Sequence, residues 1–453
     1  MSRGVSSKDT IAALATPPGR GGIGIVRISG TGVANIAAAV LGKLPKPRKA
    51  WLTDFVAADG SVLDRGIALF FPGPDSFTGE DVLELQGHGG PVVMDMLLER
   101  VVDAGARIAL PGEFSERAFL NDKIDLTQAE AIADLIDSVS QQAARGAVRS
   151  LAGEFRQRID ELSEKMIGLR MLVEAAIDFP EEEIDFLDDD RIGSALVEIQ
   201  KILAATLAEA SQGALLREGI SLVIVGRPNA GKSSLMNQLT GNESSIVTSV
   251  PGTTRDLVRE HIHIDGIPLR LVDTAGLRQS PDEVEAEGIR RALQAASAAD
   301  QVLLVIDASL GADQQLAEVE SLKSELASAG NVTVVLNKVD LVDSVRQRNL
   351  VSPLLVSAKT GEGLDKLKAH IKRLAGFDSA GEGSFTARRR HLDALRRAEA
   401  ALVRGHQELL QNKAGELLAE ELRLAHESLC EITGEFSSDD LLGKIFSSFC
   451  IGK

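Results

Sequence analysis

The stretch GRPNAGKS, residues 226–233, limits what this chain can fold into more than any other. It has the spacing G-x-x-x-x-G-K-S, follows the β-branched run SLVIVG and precedes a helical pattern. Gly226 and Gly231 let the backbone turn tightly with its amides facing inward. That suits phosphate oxygens, and a helix N-terminus behind the loop adds a favourable dipole. The cradle is Asn229, Ala230, Gly231, Lys232, Ser233 and Ser234. Lys232 reaches the β- and γ-phosphates, and the Ser233 hydroxyl reaches Mg²⁺. Such a loop works between a strand and a helix, so an α/β nucleotide fold is expected around it.

Three further motifs follow in order. Asp273, Thr274, Ala275 and Gly276 spell DTAG after the strand-like PLRLV. Asp273 can hold Mg²⁺ through water, and the Gly276 amide can sense the γ-phosphate. NKVD (337–340) follows VTVVL. The Asp340 carboxylate can accept from both the N1 and N2 donors of guanine. Adenine lacks that pair and would leave a buried carboxylate unpaired. Asn337 suits the O6/N7 edge, Lys338 can cover the base plane, and Ser357, Ala358 and Lys359 (SAK) add backbone contact to O6. SLVIVG, PLRLVDTAG, QVLLVIDAS, VTVVLNKVD and PLLVSAKTG alternate with helical stretches, as in a doubly wound, mainly parallel sheet.

The texture differs on both sides of this region. Residues 1–121 mix short β-like runs (IGIVRISG, GIALFFPGP, DVLELQGHGGP) with glycine and proline turns, which reads as α+β. Residues 122–215 are helical by periodicity, broken at Pro180 and by the acidic EEEIDFLDDD, which reads as a solvated loop. Helix returns over 378–453, with LLAEELRLAHESLCEI strongly amphipathic. The simplest organisation is one discontinuous helical domain, 122–215 and 378–453, into which an α/β domain, 216–377, is inserted.

Hydrolysis needs an unusual device. Ras-like GTPases carry glutamine directly after DTAG to orient water, and here Leu277 stands in that place. Asn229 can ligate a monovalent cation beside the phosphates instead. The loop SIVTSVPGTTRD (245–256) makes a switch in which Thr248, Ser249, Val250, Pro251, Gly252, Thr253 and Thr254 face the nucleotide. Thr254 would ligate Mg²⁺, and Thr253 with nearby carbonyls would complete the cation site. Asp282, Glu283, Glu285 and Glu287 all follow DTAG closely enough to position water.

Composition excludes some classes. A net charge of −17 argues against a protein that coats nucleic acid through bulk charge. The densest positive cluster, Arg388, Arg389, Arg390, Arg396 and Arg397, reads as a solvated helix face. Two cysteines, Cys430 and Cys450, cannot form a disulfide framework, and no run is long enough to span a membrane. A cytoplasmic protein is expected. FCIGK (449–453) makes a poor prenylation box, because glycine replaces its second aliphatic residue and it ends in lysine. The apolar IFSSF before it is expected to dock and bury.

These stretches together resemble the bacterial tRNA modification GTPase family MnmE, also called TrmE. The resemblance runs through ATPPGRGGIGIVRISG, FTGEDVLELQGHGG, PGEFSERAFLNDKIDL, GRPNAGKSSL, GTTRD, DTAGLR and GEFSSDDLLGKIFSSFCIGK. It implies an N-terminal domain that dimerises and binds 5-formyl- or methylene-tetrahydrofolate through Arg27, Glu84, Lys123 and Lys453. It implies K⁺ held by Asn229, Thr248, Val250 and Thr253, with pairing of the GTPase domains, and Glu285 as the residue that positions water. It places Cys450 near the folate pocket as a candidate catalytic group. It also implies a flavin- and NADH-dependent partner, MnmG, in a heterotetramer. The reaction implied adds an aminomethyl or carboxymethylaminomethyl group to C5 of the wobble uridine of certain tRNAs.

Overall fold

The computed structural model describes residues 9–178, 190–240, 259–264, 267–272, 299–326, 331–342, 353–374, 385–412, 414–435, 439–450 and 452, and elements are numbered over these. The chain forms two compact units. One comprises Met1–Ala133, Ser150–Gln200 and Ala394–Lys453, and the other Asp134–Arg149 and Lys201–Asp393.

The first unit begins with a sheet of β1 (Ile11–Leu14), β2 (Gly24–Ser29), β3 (Trp51–Val56), β4 (Val62–Phe71), β5 (Val82–Gly87) and β6 (Arg107–Ile108). Their order is β3-β4-β5-β2-β1-β6, antiparallel except for β1 with β6. Period-two alternation sends Val26, Ile28, Leu83 and Leu85 to one face, where they pack under α1 (Val33–Leu41) and α2 (Pro91–Asp103). α1 buries Val33, Ile36, Ala37, Val40 and Leu41, one helical stripe, and ends at Gly42 in the left-handed conformation. The opposite face carries the row Ala13–Arg27–Glu84–Leu69, paired in register across four strands.

Helix dominates the rest of this unit, and of the helical residues that follow, Asp134–Arg149 and those from Lys201 to Glu218 count with the second unit. α3 (Glu113–Leu120) leads to α4 (Leu126–Ile136), whose Leu126, Ala129 and Ala133 cluster with Ile445, Phe446 and Phe449. α5 (Gln141–Leu151) precedes α6 (Glu154–Asp178). α6 buries Phe155, Ile159, Leu162, Met166, Leu169 and Val173 at steps of three and four. At ~1.5–3 kcal/mol per large apolar side chain, that buried stripe supplies most of what holds the helix in place. α7 runs Asp190–Glu218.

The second unit centres on a six-stranded sheet of β7 (Ile220–Val225), β8 (Arg259–Ile264), β9 (Ile267–Val272), β10 (Gln301–Asp307), β11 (Asn331–Asn337) and β12 (Leu354–Val356). The order is β12-β11-β10-β7-β9-β8, with every pair parallel except β8 with β9. Near-continuous apolar strands such as VLLVI in β10 fit a sheet covered on both faces. One face packs under α8 (Lys232–Thr240) and α10 (Leu364–Leu374), the other under α9 (Ala312–Glu325). α11 (Arg389–Asn412), α12 (Gly415–Thr433) and α13 (Asp439–Ser447) complete the helices; from Ala394 onward they belong to the first unit, where α12 packs along α6. The expected α+β, helical and doubly wound parts are all present. No helix among the described residues is long and apolar enough to cross a membrane.

Candidate functional site

β7 lies between β9 and β10, the point where the sheet's strand order reverses. In such folds ligands sit outside the carboxyl ends of the strands at that point. The loop Gly226–Gly231 leaves β7 there and feeds α8. Asn229 (φ 64°) and Gly231 (φ 90°) both take left-handed backbone, which turns the loop back on itself. Gly226 has no room for a side chain against the Val305 carbonyl, so glycine is required where the loop passes β10. Lys232 Nζ donates to the carbonyls of Gly226 (2.7 Å) and Arg227 (2.9 Å), arching its ammonium across the loop. Ser233, Ser234 and Asn229 are exposed on the same loop and helix start.

The base loops meet at Asn337, which is 1% exposed. Its Nδ2 donates to the Ala230 carbonyl (2.9 Å), and its Oδ1 accepts from the Ala358 amide (2.9 Å). One side chain therefore joins the phosphate loop, β11 and the SAK loop. This leaves one amide hydrogen for a base edge. The Ser357 hydroxyl donates to Asp340 Oδ1 at 2.6 Å, which fixes the carboxylate of a residue that is itself exposed. Lys338 (φ 68°) donates to Asp307 Oδ2 at 2.6 Å. Lys359 is exposed.

Two residues beside this site were not singled out from sequence. Asp307 ends β10 directly opposite Asn337. Burial pushes its carboxyl up, but hydrogen bonds from Lys338 and Ser309 outweigh this and hold it below the ordinary carboxylate range. Glu318 of α9 lies against the Arg227 backbone, and burial pushes its carboxyl up. Position immediately after an apolar strand was the one signal available for Asp307, and nothing local marked Glu318.

Switch residues Thr248, Ser249, Val250, Pro251, Gly252, Thr253 and Thr254 lie outside the described residues. So do Asp273, Thr274, Ala275, Gly276, Leu277, Asp282, Glu283, Glu285, Glu287 and Lys453.

A second cluster lies on the open face of the first sheet. Arg27 Nε donates to Glu84 Oε1 at 3.0 Å, across the register of β2 and β5. The Arg27 guanidinium stands over the rings of Phe77 (5.8 Å) and Phe114 (5.9 Å), which orient it as a planar cation. Lys123 is exposed, and a Cβ on Gly79 would lie 3.3 Å from its stem, so it reaches the loop that carries Phe77. The apolar segment before the cysteine does dock, with Phe446 at 0% and Phe449 at 5% exposure. The Gly112 amide donates to the Cys450 carbonyl (3.3 Å), and Gly452 lies so close to the Leu14 carbonyl that it has no room for a side chain. Cys450, itself exposed, thus sits beside Gly112, which lies at the start of α3, two residues before Phe114 in the chain.

Behind α3 lies a buried ion network. Glu113 is 0% and Arg117 3% exposed. Glu113 accepts from the Leu110 amide (2.8 Å), Arg107 (2.5 and 2.8 Å) and Arg117 (3.0 Å). Arg117 also donates to Asp9 (2.8 Å) and Glu80 (3.0 Å), and Ser29 donates to Glu80 (2.7 Å).

The doubly wound sheet, the loop on its central strand and the joined base loops define a P-loop domain of the GTPase type. Two family models cover the chain: the GTP-binding protein TrmE N-terminus over residues 10–123 and the MnmE helical domain over 126–450. The chain is 59% identical to the tRNA modification GTPase MnmE of Yersinia pseudotuberculosis serotype IB over 454 residues, 99% of this chain and 100% of that one. It is also 59% identical to MnmE of Pectobacterium carotovorum, over 99% of this chain and 100% of that one. Among solved structures, the G domain of the T. maritima FeoB iron transporter aligns at 29% identity and a TM-score of 0.28, covering 34% of this chain and 98% of that one. The chain belongs to the MnmE (TrmE) family.

Proposed function

We propose that this chain is a GTPase that modifies tRNA. The observation that carries the nucleotide reading is the Asp340 carboxylate, pinned by Ser357 on one oxygen and open on the other, beside an Asn337 that joins the base and phosphate loops. A pinned carboxylate accepts from the paired N1 and N2 donors of guanine and rejects bases without them. Lys232, now satisfied by two loop carbonyls, is placed to exchange them for β- and γ-phosphate oxygens. Ser233 and Thr254 would hold Mg²⁺. The outward Asn229, with Thr248, Val250 and Thr253, would hold K⁺, which supplies positive charge to the transition state. Glu285 would orient the water.

The tRNA chemistry is assigned to the first unit. Arg27 and Glu84 offer a cation and a carboxylate side by side on an aromatic floor, the donor set that suits a folate with its pterin edge and glutamate tail. Lys123 and Lys453 would meet the anionic end. A folate there supplies one carbon, and Cys450 supplies a thiol near it. The product would be a wobble uridine carrying an aminomethyl or carboxymethylaminomethyl group at C5, made in the cytoplasm by a homodimer working with MnmG. Residues 1–121 form the folate and dimerisation domain in this reading. The helical domain, 122–215 and 378–453, carries the inserted GTPase domain, 216–377.

Nucleoside analysis of tRNA from a deletion strain tests the whole reading. Loss of the C5 substituent from wobble uridines is expected, and its retention refutes the assignment. On the purified protein, GTP hydrolysis should run much faster in K⁺ than in Na⁺, and Asn229→Ala should abolish the difference. Equal rates in both salts in the wild type would remove the K⁺ site.

A further inference from the structure

Asp134, near the C-terminal end of α4, is 7% exposed. Its Oδ1 accepts two guanidinium hydrogen bonds, from Arg217 Nε and Arg388 Nη2, each at 2.7 Å. Arg217 lies in the last turn of α7, just before β7, and Arg388 lies just before α11. These are the two places where the chain crosses into and out of the nucleotide sheet. Phe385, Thr386, Ala387 and His391 of the outbound crossing are buried. Gly213 of α7 has no room for a Cβ against the Phe385 carbonyl, so the two crossings lie in direct contact. Gly219 (φ 69°) is pressed in turn against β9: a Cβ there would come within 2.6 Å of the Pro268 carbonyl.

Beyond Asp134 the walls part. A cavity of about 420 Å³ opens between Asp137, Ser138 and Ala143 on one side and Pro268 and Arg270 of β9 on the other. The carboxylate therefore ties residues 134–149 to the crossings beside an open space. β9 is the strand that leads into DTAG. A shift of β9 bears on Gly219 through Pro268, and Asp134 must follow Arg217.

We propose that Asp134 is a positioning residue that makes residues 134–149 move as one body with the nucleotide module. The part that responds to the nucleotide is then larger than the inserted sheet and its helices. It includes the end of α4 and most of α5, and these deliver the nucleotide state to the rest of the chain. This rests on the GTPase reading above.

The test uses the full chain with bio-orthogonal distance labels at Arg145 of α5 and Lys323 of α9, both exposed. In the wild type the same narrow distance is expected with GDP and with a GTP transition-state mimic. In Asp134→Asn the distribution should broaden. The variant's GTP hydrolysis should stay close to wild type while modified tRNA falls by roughly fivefold or more, the usual size of a lost coupling. A wild-type distance that changes with nucleotide state overturns the proposal. So does an Asp134→Asn protein that keeps the narrow distance and full tRNA modification. The wild-type comparison needs no variant, so a misfolded Asp134→Asn leaves the test standing. Nucleotide occupancy measured in each sample separates failure of the GTP reading from failure of the clamp.

Discussion

The base loop and the start of α3 hold their shape by opposite means. Around the base loop the holding is mostly neutral, with one ion pair, Lys338 on Asp307, beside it: the Asn337 amide joins Ala230 to Ala358, and a serine hydroxyl steadies Asp340. Around α3 the holding is ionic, with Arg107 and Arg117 on a fully buried Glu113 and further carboxylates at Asp9 and Glu80. A neutral scaffold leaves the Asp340 carboxylate uncommitted on one oxygen, so its charge remains available to a ligand. The ionic scaffold spends its charges on one another, while Arg27 and Glu84 pair on the open face of the sheet. The lesson is that buried charge is not a reliable marker of the site: in the first unit it is framework.

The comparison breaks most readily at Glu113. Glu113→Ala leaves the Arg117 guanidinium buried beside a hole and removes the acceptor for the Leu110 amide. Removing one partner of a buried pair costs ~3–5 kcal/mol. The expected result is a large fall in the thermal midpoint of the first unit, with GTP affinity in the second unaffected. If GTP affinity falls along with stability, the two scaffolds are not independent.

Asn337→Ala probes the neutral scaffold and should cost less. It strips a partner from the Ala230 carbonyl and the Ala358 amide, worth about 1–3 kcal/mol for each buried group left unpaired. The loss should show first in GTP affinity, because phosphate and base loops lose their common joint. An Asn337→Ala protein that binds GTP normally would mean the loops are held elsewhere.

Acid separates the two regions further. Burial pushes the Glu113 carboxyl up, but hydrogen bonds from Arg107, Leu110 and Arg117 outweigh it and hold the folded-state pKa below the ordinary carboxylate value. A depressed pKa contributes stability that is complete above the unfolded value and is lost as pH falls through the folded one. Thermal midpoints measured across the acid range should therefore fall in wild type, and part of that slope should vanish in Glu113→Ala. Glu318 has the opposite sign: burial raises its folded pKa, so its contribution falls as pH rises from the unfolded value through the folded one. Glu318→Gln should flatten that smaller, opposite slope.

What could be read from sequence follows the same division. The phosphate loop was legible because its chemistry is local: glycine spacing, a strand before and a helix after. The base loop was legible as a motif, but the joint made by Asn337 was not, because it spans 107 residues to Ala230. The Arg27–Glu84 pair depends on the register of β2 with β5, 57 residues apart, and Phe77 reaches Arg27 from a loop while Phe114 reaches it from α3. Alternation along IVRIS says which side Arg27 faces, yet nothing in it names the partner. Asp134 was invisible for the same reason, since its two arginines lie 83 and 254 residues away. The docking of IFSSF was foreseeable from its apolar run, whereas its placement against Gly112, and that of Gly452 against Leu14, was not.

The smallest expected effect concerns the two thiols, and it sharpens the contrast between framework and surface. Cys430 is 2% exposed on α12, and burial, aided by Glu435 and Glu427, pushes its thiol up to about 11. At pH 8 a thiol with that value is ionised to about one part in a thousand, and the thiolate is the species that reacts. Cys450 is exposed, and its backbone carbonyl accepts from the Gly112 amide. Brief treatment with iodoacetamide should therefore give one adduct by mass, mapping to Cys450, and Cys450→Ser should give none on that timescale. The substitution should leave stability within about 0.5 kcal/mol, as for a surface position, and GTP hydrolysis intact. If tRNA modification is nonetheless lost, the thiol acts in the chemistry of the first unit. If modification survives, Cys450 only shapes the wall beside Phe114. Two adducts forming at equal rates would mean that α12 opens readily and that the helical core is looser than its packing on α6 implies.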